Sequence, residues 1–480
     1  MRTARWLVRR GAALLLCLVL ASACTSSGQP RLDGSTPSTA PRAWKEYSLT
    51  QPGPVMHKAV LGVQPNWYRM DELREYMQRL GGGTSWVPVV WCNIEREPDS
   101  WDWSVLDRIV DDARSLHVDL QLKLRVGACW LTERGPFWHT GFVTESQMPK
   151  DVDAYAAFVR AVVSRYSPLG VHTYSVENEP NTKYQWDGSL AQLLRLTEIA
   201  ASTIRDTDPQ ALVADWGLST GVYGDALADR LLAEGKDADA VEAYNNYYRT
   251  ARDPVHVTSA DDLRAELEDG QDQRNLLYLK EAERLLAGRV FDLRRFHFYE
   301  SEDILPSVIA YLQATTPDDV PIESWELGRH VGEGVTNPRA EVVKSVCLLL
   351  AAGVREVNWL PLAAPSSGNE PNLALLGPDG AVRPAAHAYR KLARDVRGAS
   401  SFRPLTVPGT SGLVMTRPGR TTLVVWSDQT SGQQLRLPPG SKVRGLAGTA
   451  TLDGNTLDLG GEPVLVDIDQ PLAAVRLAVR

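Results

Sequence analysis

Residues 174–181 read YSVENEPN, from Tyr174 through Glu177, Asn178, Glu179 and Pro180 to Asn181. The run opens with residues that suit a pleated strand and closes with two carboxylates and a proline. Pro180 has no amide hydrogen to give a central strand, so it marks the strand's end. Glu179 therefore stands at the rim. Glu177 lies two residues further in, where an ionised group is costly without a partner. A strand built only for stability has no use for either acid, so the stretch points to a site that draws a second carboxylate from another strand.

Outward from this stretch, beginning near Val55, short β-like runs alternate with helical periodicity. KAVLGVQ precedes MDELREYMQRLG, SWVPVVW precedes WSVLDRIVDDARSLH, and VDLQLKLRV precedes DVDAYAAFVRAVVSRY. VHTYSVE precedes LAQLLRLTEIAASTIRDTDP, and ALVADWG precedes a long charged helical section, 224–288. FDLRRFHFY precedes EDILPSVIAYLQATT, DVPIESWE precedes PRAEVVKSVCLLLAAG, and VREVNWLPL precedes RPAAHAYRKLARDV. Near-continuous apolar strands joined by helices imply a parallel sheet. Eight such units predict an α/β fold, a (β/α)8 TIM barrel with insertions, over 55–397. A doubly wound sheet is disfavoured because no Gly-rich phosphate loop opens the first helix. After Arg397 the texture turns to short alternating strands with Gly, Pro, Asn and Asp turns, which predicts a small all-β sandwich over 398–480.

In such a barrel the chemistry sits at the C-terminal strand ends. Those ends carry Trp91, Cys92 and Glu95; Arg125, Cys129 and Trp130; Glu177, Asn178 and Glu179; Asp215 and Trp216; His297 and Tyr299; Glu326; and Asn358 and Trp359. Aromatic rings stack on sugars, and amides and carboxylates bond hydroxyls. A carboxylate pair is what glycosidic cleavage needs, one to protonate the leaving oxygen and one to attack or to activate water. Strand alternation groups Ile322, Ser324 and Glu326 on one face of the seventh strand and Glu323 and Trp325 on the other. Glu179 and Glu326 are thus the expected partners, with Glu177 and Glu323 structural. Trp91, Trp130, Trp186 and Trp359 suit either sugar stacking or core packing. No His/Cys cluster has zinc spacing, so neither a catalytic metal nor another cofactor is expected.

Asn178-Glu179-Pro180 closing the fourth strand, and Glu326 followed by Leu327-Gly328 closing the seventh, resemble clan A of the glycoside hydrolases. WCNIEREPDSWDWSVLD, from Trp91, is similar to the clan's stretch after its second strand, and His297-Phe298-Tyr299 to its sixth. Barrel plus C-terminal sandwich resembles family 39 in particular, over about residues 55–470. The resemblance implies Glu179 as general acid/base and Glu326 as nucleophile of a retaining mechanism. It implies Asn178 on the sugar 2-hydroxyl, Tyr299 against the nucleophile, and Trp359 as the subsite floor. The clan's arginine near the nucleophile on the second strand is missing from TSWVPVVW, and Arg125 on the third strand is the expected substitute. A non-catalytic carbohydrate-binding lipoprotein and a transglycosylase are the rival functions; the first is disfavoured by the presence of both glutamates, and the second differs only in the acceptor.

The chain has 480 residues, 43% hydrophobic and 23% charged, enough apolar material for a large domain and a small one. Its formal net charge of −8 includes four arginines in the first 23 residues, so the remainder is more acidic still, and nucleic acid is not an expected partner. MRTARWLVRR followed by GAALLLCLVLA reads as a signal peptide over 1–23, too short to span a bilayer. ASAC resembles a bacterial lipobox, with Cys24 as the lipidated residue and Ala21 where leucine is usual. Ordinary cleavage and full secretion is the alternative. Residues 24–54 read as a tether and N-terminal extension. The membrane is then a partner only through a lipid on Cys24, and the expected location is the outer face of the cell membrane or the medium. Oligomeric state is not legible. In that oxidising compartment Cys92 and Cys129, at neighbouring strand ends, are either a disulfide or two thiols.

Overall fold

The computed structural model of the protein describes residues 43–50, 55–135, 145–251, 254–331, 335–367, 370–429, 432–446 and 452–480. The expected signal peptide, Cys24 and most of the 24–54 segment lie outside the described residues. The eight β-then-α units are all present. Their strands are β1 (Val60–Val63), β2 (Gly83–Val90), β3 (Val118–Arg125), β4 (Thr173–Val176), β5 (Leu212–Ala214), β6 (Arg294–Phe298), β7 (Ile322–Leu327) and β8 (Glu356–Trp359). Local signals start and stop the helices between them. Asp151 caps Val152–Tyr166 by accepting from the amides of Asp153 and Ala154. Ser189 and Gln192 form a reciprocal capping box on Leu190–Thr207. The charged section after β5 holds four helices where the repeat needs one, Gly221–Ala233, Asp237–Tyr248, Ala260–Leu267 and Gly270–Ala287.

All strand pairs among the eight are parallel and form two arcs. One runs β2-β3-β4-β5 and the other β6-β7-β8-β1. The order is the one a (β/α)8 barrel requires. A parallel bridge between Ala214 and Leu293 joins β5 to β6. At the other seam β1 and β2 pass too closely for side chains: a Cβ on Gly62 would lie 1.8 Å from the Thr84 carbonyl oxygen, and one on Gly83 would lie 2.2 Å from that of Leu61. Glycine is required at both positions.

The C-terminal region packs two antiparallel sheets around its own core, which includes Leu405, Leu423, Leu435, Val466 and Leu477. The 24–54 reading is amended here. Lys45–Ser48 is a strand, paired antiparallel with the last strand, Arg476–Val479. Leu49 enters the sandwich core. The isolated tetrapeptide KEYS carries no strand signal of its own, because the pairing edge that orders it arrives over 400 residues later in the chain. Lys344, on the helix Pro338–Ala351, reaches Asp428 of the sandwich at 2.6 Å and ties it to the β/α region.

Cys92 and Cys129 are bridged, with Cα atoms 5.8 Å apart, and the bond staples the rim after β2 to the rim after β3. Cys347 is buried and is the free cysteine among the described residues. The bridge spans 37 residues of sequence, for which the chain-entropy model gives about 4 kcal/mol of stabilisation. Replacing both bridged cysteines by serine is therefore expected to lower unfolding free energy by roughly 2–4 kcal/mol in a denaturant titration. Of Cys92, Cys129 and Cys347, only Cys347 should react with a thiol reagent in denatured, unreduced protein, and mass mapping checks this directly.

Candidate active site

The fourth strand ends in a distorted backbone. Glu177 and Glu179 both hold left-handed φ, 59° and 47°, which costs residues with a Cβ about 1–3 kcal/mol each and persists only where the surroundings fix it. Glu177 is fully buried and supplies part of that fixation. Its carboxylate accepts from the Val126 amide at 2.9 Å, the Ser146 hydroxyl at 2.8 Å and Arg125 Nε at 3.3 Å. Burial pushes this carboxyl upward in pKa, and Arg125 opposes the shift. Glu177 thus locks the ends of β3 and β4 together. The second left-handed residue sends Glu179 into the mouth, with its amide donating to the Gly217 carbonyl at 3.2 Å.

On β7 simple alternation fails. The register shifts between Glu323 and Glu326 against β6 and between Ser324 and Leu327 against β8. A bulge of this kind re-aims a side chain. Trp325 packs with Ala214 and Leu293, beside Trp86, while Glu326 meets Lys123, whose ammonium lies 3.4 Å from the Trp86 ring centroid. Trp325 and Glu326 therefore share one side of the strand, where period two would separate them. Glu323, at the opposite end of β7, pairs with Arg355 and accepts from Trp325 Nε1 at 2.8 Å.

Glu179 and Glu326 meet. One oxygen of each carboxylate and one nitrogen of His297 lie within 4.8 Å of one another. His297 Nδ1 is 2.8 Å from Glu179 Oε1 and 3.4 Å from Glu326 Oε2. The Tyr299 hydroxyl donates to Glu326 Oε2 at 2.7 Å, and Lys123 Nζ donates to Glu326 Oε1. Lys123 also donates to Asn178 Oδ1 at 2.7 Å. Burial pushes the Glu326 carboxyl up. The His297 ring and the Lys123 ammonium, with hydrogen bonds from Lys123 and Tyr299, pull harder and hold it at about 2. Burial brings Lys123 down to about 7 against the pull of Glu326, and drives the Tyr299 hydroxyl far above its ordinary value. The result is an ionised, fully bonded carboxylate beside a second carboxyl group that is partly exposed. The three ligand-type atoms have the spacing of a metal site, but both Glu326 oxygens are already engaged by internal donors, so the cluster works as a hydrogen-bond network.

No family model and no curated protein sequence matches the chain. Solved structures do. A family 39 glycoside hydrolase from the gut symbiont Bacteroides cellulosilyticus WH2 aligns with TM-score 0.57 at 14% identity over 86% of this chain and 81% of that one. A family 39 enzyme from Xanthomonas axonopodis pv. citri gives 0.51 at 14% identity, over 87% and 94% of the two chains. A glucosidase from Croceicoccus marinus gives 0.52 at 10% identity, over 90% and 97%. The chain has the fold of family 39 glycoside hydrolases. The expected resemblance thus holds at the level of fold.

The expected site residues divide. Glu179, Glu326, Asn178, His297 and Tyr299 come together as described. Arg125 does not reach Glu326: it pairs with Glu177 and donates to the Gln185 carbonyl at 3.0 Å. Lys123 takes the place expected of Arg125, because the residue two positions earlier on the strand sits one layer deeper, level with Glu326. Trp359 is fully buried and its Nε1 is bonded to the Leu373 carbonyl at 2.9 Å, so it offers no face to a sugar. Trp130 stays partly exposed beside the disulfide, with Nε1 donating to the Glu95 carbonyl at 3.2 Å. Trp91 is core, stacked on Phe158 at 5.4 Å. Sequence reading missed Lys123, although the signal was present. In VDLQLKLRV the polar residues Gln121, Lys123 and Arg125 alternate with leucines and all three are buried, which marks a strand whose interior face is polar.

Removing Lys123 takes away a positive neighbour that favours the ionised form of Glu326, so the pKa of this carboxyl must rise. Lys123→Met is expected to move the acid limb of the kcat/KM profile to higher pH and to lower the plateau on the order of 100-fold. Arg125→Met should instead leave the pH profile in place and cost roughly 3–5 kcal/mol of stability, because it strands the buried Glu177 charge. pH-rate profiles and denaturant titrations of the two variants test the division of labour.

Proposed function

We propose that the chain is a retaining glycoside hydrolase acting on a poly- or oligosaccharide, with its site at the mouth of a closed (β/α)8 barrel. The observation that carries this reading is the carboxylate pair: one oxygen of each lies within 4.8 Å of the other, a close approach that favours the short carboxyl separation of retaining enzymes over the gap an inverting enzyme leaves for water. The asymmetry of the two environments supports the division of roles. Glu326, held ionised, attacks the anomeric carbon while Glu179 gives its proton to the departing oxygen, so the glycosidic bond breaks as the ester bond forms. Glu179, now a carboxylate, takes a proton from water, which attacks the anomeric carbon and frees Glu326. Tyr299 and Lys123 give their hydrogen bonds to Glu326 in its charged states. With Asn178 Oδ1 held by Lys123, the Asn178 amide nitrogen is the group left to face the sugar 2-hydroxyl.

The disulfide and the N-terminal sequence support an exported protein, held at the outer face of the membrane by a lipid on Cys24 or released. The similar solved structures include a β-xylosidase from Caulobacter crescentus and a glucosidase, so xylosides and glucosides head the panel of aryl glycosides to be screened.

With an active substrate in hand, the roles separate. Glu326→Ala should abolish glycosyl-enzyme formation with every leaving group. Glu179→Ala should keep that step for an aryl leaving group of low pKa, lose it for an alkyl or sugar one, and then stall. Added azide should restart turnover and give a glycosyl azide of retained configuration. Near-normal turnover by Glu326→Ala would overturn the assignment.

A further inference from the structure

The loop that carries Glu179 has carbonyl groups that its own backbone does not satisfy. After Glu179 the chain turns sharply, with the Thr182 amide and hydroxyl both donating to the Glu179 carbonyl at 2.9 Å. The carbonyls of Pro180, Asn181 and Trp186 take side-chain donors instead. Buried carbonyls need donors, and here they come from the last of the four helices between β5 and β6. Arg274, on the helix Gly270–Ala287, donates from Nε to Asn181 O at 2.8 Å and from Nη2 to Pro180 O at 2.8 Å and Trp186 O at 3.2 Å. Its guanidinium stacks 4.4 Å from the Tyr278 ring centroid, one turn along the same helix. Gln271 adds a bond to Asn181 O at 2.9 Å. The Asn181 side chain in turn donates to Ser219 Oγ and Asn275 Oδ1, both at 2.7 Å, and accepts from the Ser219 amide at 3.1 Å. Asn275 is itself anchored to the buried Asp225 at 2.8 Å.

We infer that Arg274 is a positioning residue for Glu179. The inference rests on Glu179 being the acid/base. A left-handed residue with a Cβ stays where it is only if its neighbours over-determine the backbone. A planar fork gripping three carbonyls, one of them on the residue next to Glu179, does this in a way a single point donor cannot. Without the fork the turn relaxes, and the Glu179 carboxyl leaves its 2.8 Å contact with His297 and its aim at the leaving oxygen. Glu326, held from β3 and β6, is untouched. The loss is therefore confined to proton transfer.

The test measures kcat/KM of Arg274→Met and Arg274→Lys on 2,4-dinitrophenyl and methyl glycosides of the sugar the wild-type enzyme turns over, with Glu179→Ala in parallel. The expected result is a loss of about 10–100-fold with the methyl glycoside and less than about 3-fold with the dinitrophenyl glycoside. Arg274→Lys, which keeps the charge but not the fork, should fall between wild type and Arg274→Met, and it carries the comparison alone if Arg274→Met does not fold. Equal losses with both leaving groups, or no loss with either, would overturn the positioning role. If Glu179→Ala itself shows no dependence on the leaving group, the acid/base reading fails, and this inference with it. If Glu179→Ala shows the dependence and neither Arg274 variant does, only the inference fails.

Discussion

The ammonium of Lys123, set between the carboxylate of Glu326 and the ring of Trp86, is the interaction on which the site depends. Both charges are almost wholly out of water, and burying either one alone would cost several kcal/mol. Their pairing lets a carboxylate remain ionised in a dry interior, the state a nucleophile needs. It also explains the rest of the inner lining. Arg125 answers Glu177, Arg355 answers Glu323, and Arg295 bonds Ser175 at 2.9 Å and the Trp216 carbonyl. Burial lowers the Arg295 guanidinium to about 10, and the carboxylates around it pull it back up. A polar interior is tolerable only when each charge has its partner, and the sequence provides partners strand by strand.

Strain and support are divided between the parallel strands and the elements packed around them. The end of β4 holds two left-handed glutamates in three residues, an arrangement no isolated strand would adopt. One glutamate is locked from inside by β3. The loop that follows the other is held from outside, by Arg274 and Gln271 of the helix Gly270–Ala287. The geometry of this loop is a property of the packing around it, which is why a region reading only as charged helix contributes to it.

The extent to which this was legible follows from the range of each signal. The β-then-α alternation, the helix caps, and the positions of Glu179, Glu326, His297 and Tyr299 at strand ends are local. Hydrophobic period, capping residues and the proline at 180 specify them within a few residues. The assignment of Arg125 to the nucleophile failed because it chose by position along one strand. Lys123 and Arg125 share a face, and which of them meets Glu326 depends on the level of a strand 203 residues away.

What the sequence by itself determined was the eight β-then-α units and the placing of Glu179 and Glu326 at strand ends, because backbone preference and side-chain period act through neighbours in the chain. The tertiary structure alone decided the rest. It paired Lys45–Ser48 with the last strand, buried Trp359, bulged β7 so that Trp325 and Glu326 share a side, and brought Arg274 to three carbonyls of the Glu179 loop. Each of these is a choice of partner. A buried charge or an unsatisfied carbonyl dictates that a partner must exist, but only the folded geometry determines which residue is close enough to be it.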